Sequence, residues 1–170
     1  MRILVTAMLS AIVFLGISCG KDKDNNDSRN RRFVSMKLDN RVYLAENPQG
    51  VLTLPNLSDE NPDNDYPTMK ITATTYNGDA LTFTLAAPLA FTPGVYPATK
   101  KGNGMVVLLS SSYYSTLTSV GSTDFAITIT SLDNTYVEGT FSGTLTDATG
   151  VGGPRVVKDG AFRAIITTQK

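Results

Sequence analysis

From Thr68 to Pro88 the chain reads TMKITATTYNGDALTFTLAAP. Apolar and hydroxyl side chains alternate on both sides of Asn77-Gly78. Period-two alternation is the signature of a half-buried strand, and Asn-Gly between two such runs is a strong hairpin signal. The register follows from the pattern. A two-residue loop at Asn77-Gly78 would pair Ala73 with Thr82 and put the two apolar sets on opposite faces. A three-residue loop, Tyr76 to Gly78, pairs Ala73 with Leu81 and Ile71 with Phe83. Only the second buries one face, because a one-residue slip flips every side chain. The expectation is a type I turn plus bulge, with Gly78 left-handed.

The same alternation recurs from Phe33 to the C-terminus. FVSMKLD places Val34, Met36 and Leu38 on one face, and RVYLAE follows after the turn pair Asp39-Asn40. VLTL and MVVLLSSSYY are further strand candidates. FAITITSL and TYVEGTFSGTLTD form a second hairpin around Asp133-Asn134, with Phe125, Ile127 and Ile129 sharing a face with Val137, Phe141 and Leu145. The last strand, GAFRAIITT, turns Phe162, Ala164 and Ile166 inward. No run has helical spacing. The expected fold is all-β: an antiparallel two-layer β-sandwich of about eight or nine strands, with a β-barrel as the alternative.

The chain has 170 residues, enough for one domain with its own core. It carries 15 Lys+Arg against 15 Asp+Glu and no His. That balance excludes the basic stripe of a nucleic-acid binder. Its one Cys forms no internal disulfide, so the fold relies on its core.

Arg2 precedes an apolar run from Ile3 to Ser18. As a helix it reaches about 24 Å, short of the roughly 30 Å hydrocarbon layer. A positive start, an apolar middle and small residues at the end read as a secretory signal at residues 1–18. An uncleaved anchor is the alternative. LGISC resembles a bacterial lipobox, although Gly16 stands where a large aliphatic is usual. The resemblance implies lipidation of Cys19 and cleavage before it, with the lipid chains holding the protein to a membrane. Residues 19–32 then form the lipidated Cys and a flexible tether, since GKDKDNNDSRNRR has nothing apolar to dock. Lys21 to Asp24 resembles the Lys-plus-acid signal of surface-exposed lipoproteins in the Bacteroidota. The expected location is the outer membrane, by the lipid anchor, with a surface-facing and a periplasmic placement as the two alternatives. Residues 33–170 are the single β-domain.

The segments FVSMKLDNRVYLA, LTFTL…PGVY, ITITSLDNTYVEGTFSGTL and VKDGAFRA, in that order, resemble a family of uncharacterised Bacteroidota lipoproteins. Their distinctive motifs are GTFSG (Gly139 to Gly143) and DGAF (Asp159 to Phe162). The resemblance implies a β-rich fold and an envelope setting. It brings no activity and no functional residues.

Chemistry is sparse. Without His there is no Ser-His or Cys-His pair. Ser110 to Ser112 lack the following Lys of a Ser-x-x-Lys site. Glu138 is the carboxylate in mid-strand and reads as part of a solvated face. Asp59, Asn61, Asp63 and Asp65 alternate like the start of a calcium loop. Asn64 replaces its glycine and Lys70 its bidentate Glu, so a solvated turn is the plain alternative. Tyr113-Tyr114 is the leading ligand-binding pair, because adjacent strand residues face opposite sides. Tyr43, Tyr66, Tyr76 and Tyr96 are scattered near turns and rank lower. The expectation is a non-enzymatic binding or accessory module for a glycan or protein ligand, with no cofactor. The alternatives are a purely structural envelope protein and, remotely, a carboxylate hydrolase.

Overall fold

The computed structural model describes residues 31–110 and 115–169. Eleven strands account for most of them: β1 (Phe33–Leu38), β2 (Arg41–Glu46), β3 (Gln49–Thr53), β4 (Thr68–Thr74), β5 (Ala80–Ala86), β6 (Gly94–Pro97), β7 (Gly104–Leu108), β8 (Thr116–Thr118), β9 (Ala126–Leu132), β10 (Tyr136–Asp147) and β11 (Arg155–Gln169). A short 3-10 turn at Pro62–Asn64 is the helical element among the described residues.

The β4–β5 hairpin has the register its alternation demands. Ile71 faces Phe83 and Ala73 faces Leu81. The loop is Tyr76 to Gly78, closed by Gly78 N–H to Thr75 O (3.0 Å) and Thr75 N–H to Asp79 O (2.9 Å). Gly78 sits at φ +83°, the left-handed position a three-residue loop requires. The β1–β2 connection is the two-residue alternative. Asp39 and Asn40 both have positive φ, 51° and 66°, as a type I′ turn needs. The inward sets also hold: Val34, Met36, Leu38, Phe125, Ile127, Ile129, Val137, Phe141, Leu145, Phe162, Ala164 and Ile166 are all buried.

Tertiary assembly departs from the sandwich. The strands form one mixed sheet in the order β2-β1-β11-β3-β4-β5-β7-β8-β10-β9-β6, and β11 also pairs with β10. There are eleven strands in one sheet, not eight or nine in two layers. The pairings run β11-β3-β4-β5-β7-β8-β10 and return to β11, so the ladder closes on itself. The cause is the length of β11. Its 15 residues take β10 on one edge, and β1 then β3 on the other. The β3–β11 pair is parallel, which the all-antiparallel expectation did not contain. The additional strands β6 and β8 are four and three residues long, too short to show a period. At the other end of the sheet order, Ala45 on β2 bridges Thr75 beyond β4.

Inside the closed ladder lie Phe83, Phe141 and Phe162. Their ring centroids are 4.8 Å (83–141), 5.6 Å (83–162) and 6.3 Å (141–162) apart. The GTFSG and DGAF motifs explain themselves here. Gly139 is register partner of Phe162, and Gly160 of Phe141. Each ring lies over the glycine opposite: a Cβ at Gly139 would stand 2.6 Å from the Phe162 ring, and one at Gly160 2.6 Å from the Phe141 ring. The glycines let two aromatic residues fold flat across neighbouring strands.

Candidate functional site

Strand β6 ends the sheet order and, among the described residues, pairs only with β9. Backbone groups alternate in direction along an antiparallel strand. Ala98 N–H reaches Phe125 O (2.9 Å), so Ala98, Tyr96 and Gly94 address β9. Val95 and Pro97 therefore address the opposite side. There, a gap separates β6 from the end of β5, and Asn103 stitches it. Its Nδ2 donates to Pro97 O (3.3 Å) and its Oδ1 accepts from Ala86 N–H (2.8 Å). The Asn103 side chain is buried, so the stitch is held from inside. One side-chain amide here does what a neighbouring strand would do.

Beyond the stitch the gap opens as a groove of about 520 Å³, with a mainly apolar lining. Tyr66, Pro88, Val95 and Tyr96 line it, together with Lys100 and Lys101. Tyr96 is fixed at both ends. Its hydroxyl donates to Thr92 O (2.8 Å) and accepts from Thr92 N–H (3.1 Å), while its ring packs 5.7 Å from Phe91. A rigid aromatic ring is a low-entropy contact surface. A second recess, of about 490 Å³, lies by Asp39, Arg41 and Tyr43 and has a polar lining. Its Asp39 is already engaged with Arg155 (3.6 Å) and Val156 N–H (3.3 Å).

Of the residues favoured from sequence, the described ones Asp59, Asn61 and Asp65 lie outside the lining of this groove. Cys19, Tyr113 and Tyr114 lie outside the described residues. The ends of the segment that carries the tyrosines are firmly held. Asp79 Oδ1 accepts from Ser110 N–H (2.8 Å) and Ser110 Oγ (3.0 Å), and its Oδ2 accepts from Thr75 Oγ1 (3.3 Å). Leu109 N–H reaches Ser115 O (3.0 Å) across the segment. Asp79 is 3 % exposed. Asp79→Ala leaves the buried Thr75 hydroxyl without its acceptor and removes the contact to Ser110 N–H, and should cost about 2 kcal/mol, read as a lower denaturation midpoint. An unchanged midpoint would remove Asp79 as the anchor.

Asp59 is the hub of its own loop. Its Oδ1 accepts from Asn61 N–H (3.0 Å), and its Oδ2 accepts from Asn56 Nδ2 (2.6 Å) and Asn64 Nδ2 (3.0 Å). Asp65 is exposed, and the Asp63 side chain lies outside the described ones. Among the described residues no three His, Cys, Asp or Glu side chains are grouped to hold a metal. Glu138 pairs with Arg163 (3.2 Å), whose guanidinium lies 4.7 Å over the Tyr136 ring.

Other carboxylates are spent on turns. The Ser122 and Thr144 hydroxyls hold Asp124 below the usual carboxylate pKa, and the backbone of Thr135 and Tyr136 does the same for Asp133. Thr149 acts likewise on Asp147, and Lys37, at 2.7 Å, on Asp159. A pKa depressed in the folded state adds stability above the unfolded value, near 3.9, that is lost as pH falls through the folded one. With no His in the chain, the thermal midpoint should stay flat from about pH 5 to 8 and fall below about pH 4. A step near pH 6.5 in a melting series would contradict this assignment.

No family model, no curated protein and no solved structure matches this chain. The groove was hidden from sequence because Tyr66 and Tyr96 are brought together only by the closed ladder. The usable signal was PGVYP, a short extended segment between prolines beside the polar KGNG turn.

Proposed function

We propose that this protein is a non-enzymatic, lipid-anchored envelope module that binds a ligand in the groove beside β6. Its body is a small barrel filled by side chains, carried at the outer membrane on Cys19 and the polar segment that follows it. The observation that carries the reading is the groove itself: a mainly apolar recess lined by Tyr66, a rigid Tyr96 and two lysines. Concave, apolar surfaces with a few placed polar groups are where small ligands bind. A purely structural envelope protein has no use for such a recess. A carboxylate hydrolase would need two acids facing one another across a cleft, and Glu138 instead faces Arg163.

The test is a thermal-shift screen of the full chain in detergent against a panel of polysaccharides. Ligand at 100 times its dissociation constant adds about 2.7 kcal/mol, a shift of several degrees. A rise that disappears in Tyr66→Ala supports the groove. Absence of any rise across the panel, with no protein co-purifying, sinks the reading.

A further inference from the structure

Asparagine followed by glycine is prone to lose its side-chain amide, because glycine has no side chain to hinder attack by its own backbone nitrogen. The chain has two such pairs, Asn77-Gly78 and Asn103-Gly104. The fold treats them oppositely. We infer that Asn77 is a site of spontaneous deamidation, where the β4–β5 turn acquires a carboxylate, and that Asn103 is protected. This stands apart from the groove and from any ligand it takes.

Asn103 is 6 % exposed, and both ends of its amide are engaged: Oδ1 accepts from Ala86 N–H (2.8 Å) and Nδ2 donates to Pro97 O (3.3 Å). Gly104 is buried in β7, opposite Thr84 of β5. To meet the Gly104 nitrogen, the Asn103 side chain would have to release both bonds and undo the stitch between β5 and β6. Asn77 is the reverse case. Asn77 and Gly78 are exposed at the tip of a three-residue loop. Among the described residues Asn77 bonds through its main-chain carbonyl, not through its amide. What restrains it is the backbone. Gly78 N–H donates to Thr75 O (3.0 Å), and the Ser110 hydroxyl donates to Asn77 O (2.6 Å). The Gly78 nitrogen attacks when this tip opens. That is a local event, because exposed loop tips lie at the low end of a protein's opening energies. Opening at Asn103 breaks a buried part of the sheet edge.

The chemistry needs only water. The Gly78 nitrogen gives up its proton and bonds to Asn77 Cγ, closing a cyclic imide. The Cγ–Nδ2 bond breaks and ammonia leaves with that proton. Water then opens the ring at either carbonyl, giving aspartate or an isoaspartyl link, and nothing is oxidised or reduced. Both products put a negative charge two residues from Asp79, whose buried carboxylate holds Ser110. The isoaspartyl link also adds a methylene to the main chain of a loop whose length sets the β4–β5 register. Deamidation therefore loosens the tip of the hairpin that carries Ile71 and Phe83.

The test ages the full chain in detergent at physiological temperature and mildly alkaline pH. Samples are digested at intervals. Mass spectrometry reads the amide-to-acid mass gain, and chromatography separates aspartyl from isoaspartyl peptides. In the folded protein the Asn77 peptide should convert at least about tenfold faster than the Asn103 peptide. In concentrated urea the two should convert at similar rates. Asn77→Gln, whose longer side chain would have to close a six-membered ring, should keep its amide. Ser110→Ala removes the hydroxyl that holds Asn77 O, and should speed conversion at Asn77 about fivefold while leaving Asn103 unchanged. The urea comparison carries the test if Ser110→Ala fails to fold. Equal rates at Asn77 and Asn103 in the folded protein would overturn the inference. So would an Asn77 peptide that reacts in urea and stays intact in the fold. An unaccelerated Ser110→Ala would overturn the part given to Ser110.

Discussion

Gly160→Ala should destabilise the protein by about 3 kcal/mol or more, and Gly139→Ala by a similar amount. The added Cβ at Gly160 would sit 2.2 Å from Phe141 O, and the one at Gly139 2.3 Å from Thr128 O. Those neighbours are backbone atoms in ladders, so relief requires moving a strand rather than a side-chain tip. The aromatic ring over each glycine is displaced as well. Gly153 is the control. Nothing lies within 4 Å of its added Cβ, and its φ is not left-handed. Gly153→Ala should change stability by less than about 0.5 kcal/mol. Urea midpoints for the three variants decide the matter. If Gly160→Ala and Gly153→Ala unfold together, the ring-over-glycine packing is not a determinant of the fold.

The second large effect is Phe83→Ala. Phe83 is fully buried and touches both other rings, at 4.8 and 5.6 Å. Its removal costs the transfer energy of the ring plus the cavity left behind, about 3–5 kcal/mol. For a chain of this size that is a fall of about 10 °C or more in melting temperature. Phe83→Leu, which keeps much of the volume, should cost clearly less. A loss of only about 1 kcal/mol in Phe83→Ala would mean that the rings do not form the centre of the core.

Much of this fold was legible in the residues. The β4–β5 register followed from which pairing keeps Ile71, Ala73, Leu81 and Phe83 on one face, and the structure has that pairing. The inward sets of β1, β9, β10 and β11 followed from the same period. The partners of β11 did not follow, because alternation says which face is buried and nothing about which strand lies alongside. β8, at three residues, carries no period to read. The candidate site was less legible still. Tyr66 lies in a loop and Tyr96 on the four-residue β6, and the site's key polar residue, Asn103, reads in sequence as one more turn residue. The aromatic pair that stood out in sequence, Tyr113-Tyr114, lies outside the described residues.

The pairings of β11 have a consequence in time. The C-terminal strand is the partner of β1, β3 and β10, so the N-terminal strands β1 and β3 each lack one neighbour until the last residues exist. Their local hairpin, β1–β2, is marginal alone. Contacts of such long sequence separation make folding slow, in the millisecond-to-second range. A chain emerging vectorially from a ribosome or a secretion channel can pair β3 through β10 as it appears, but the ladder closes only when Arg155 to Gln169 arrives.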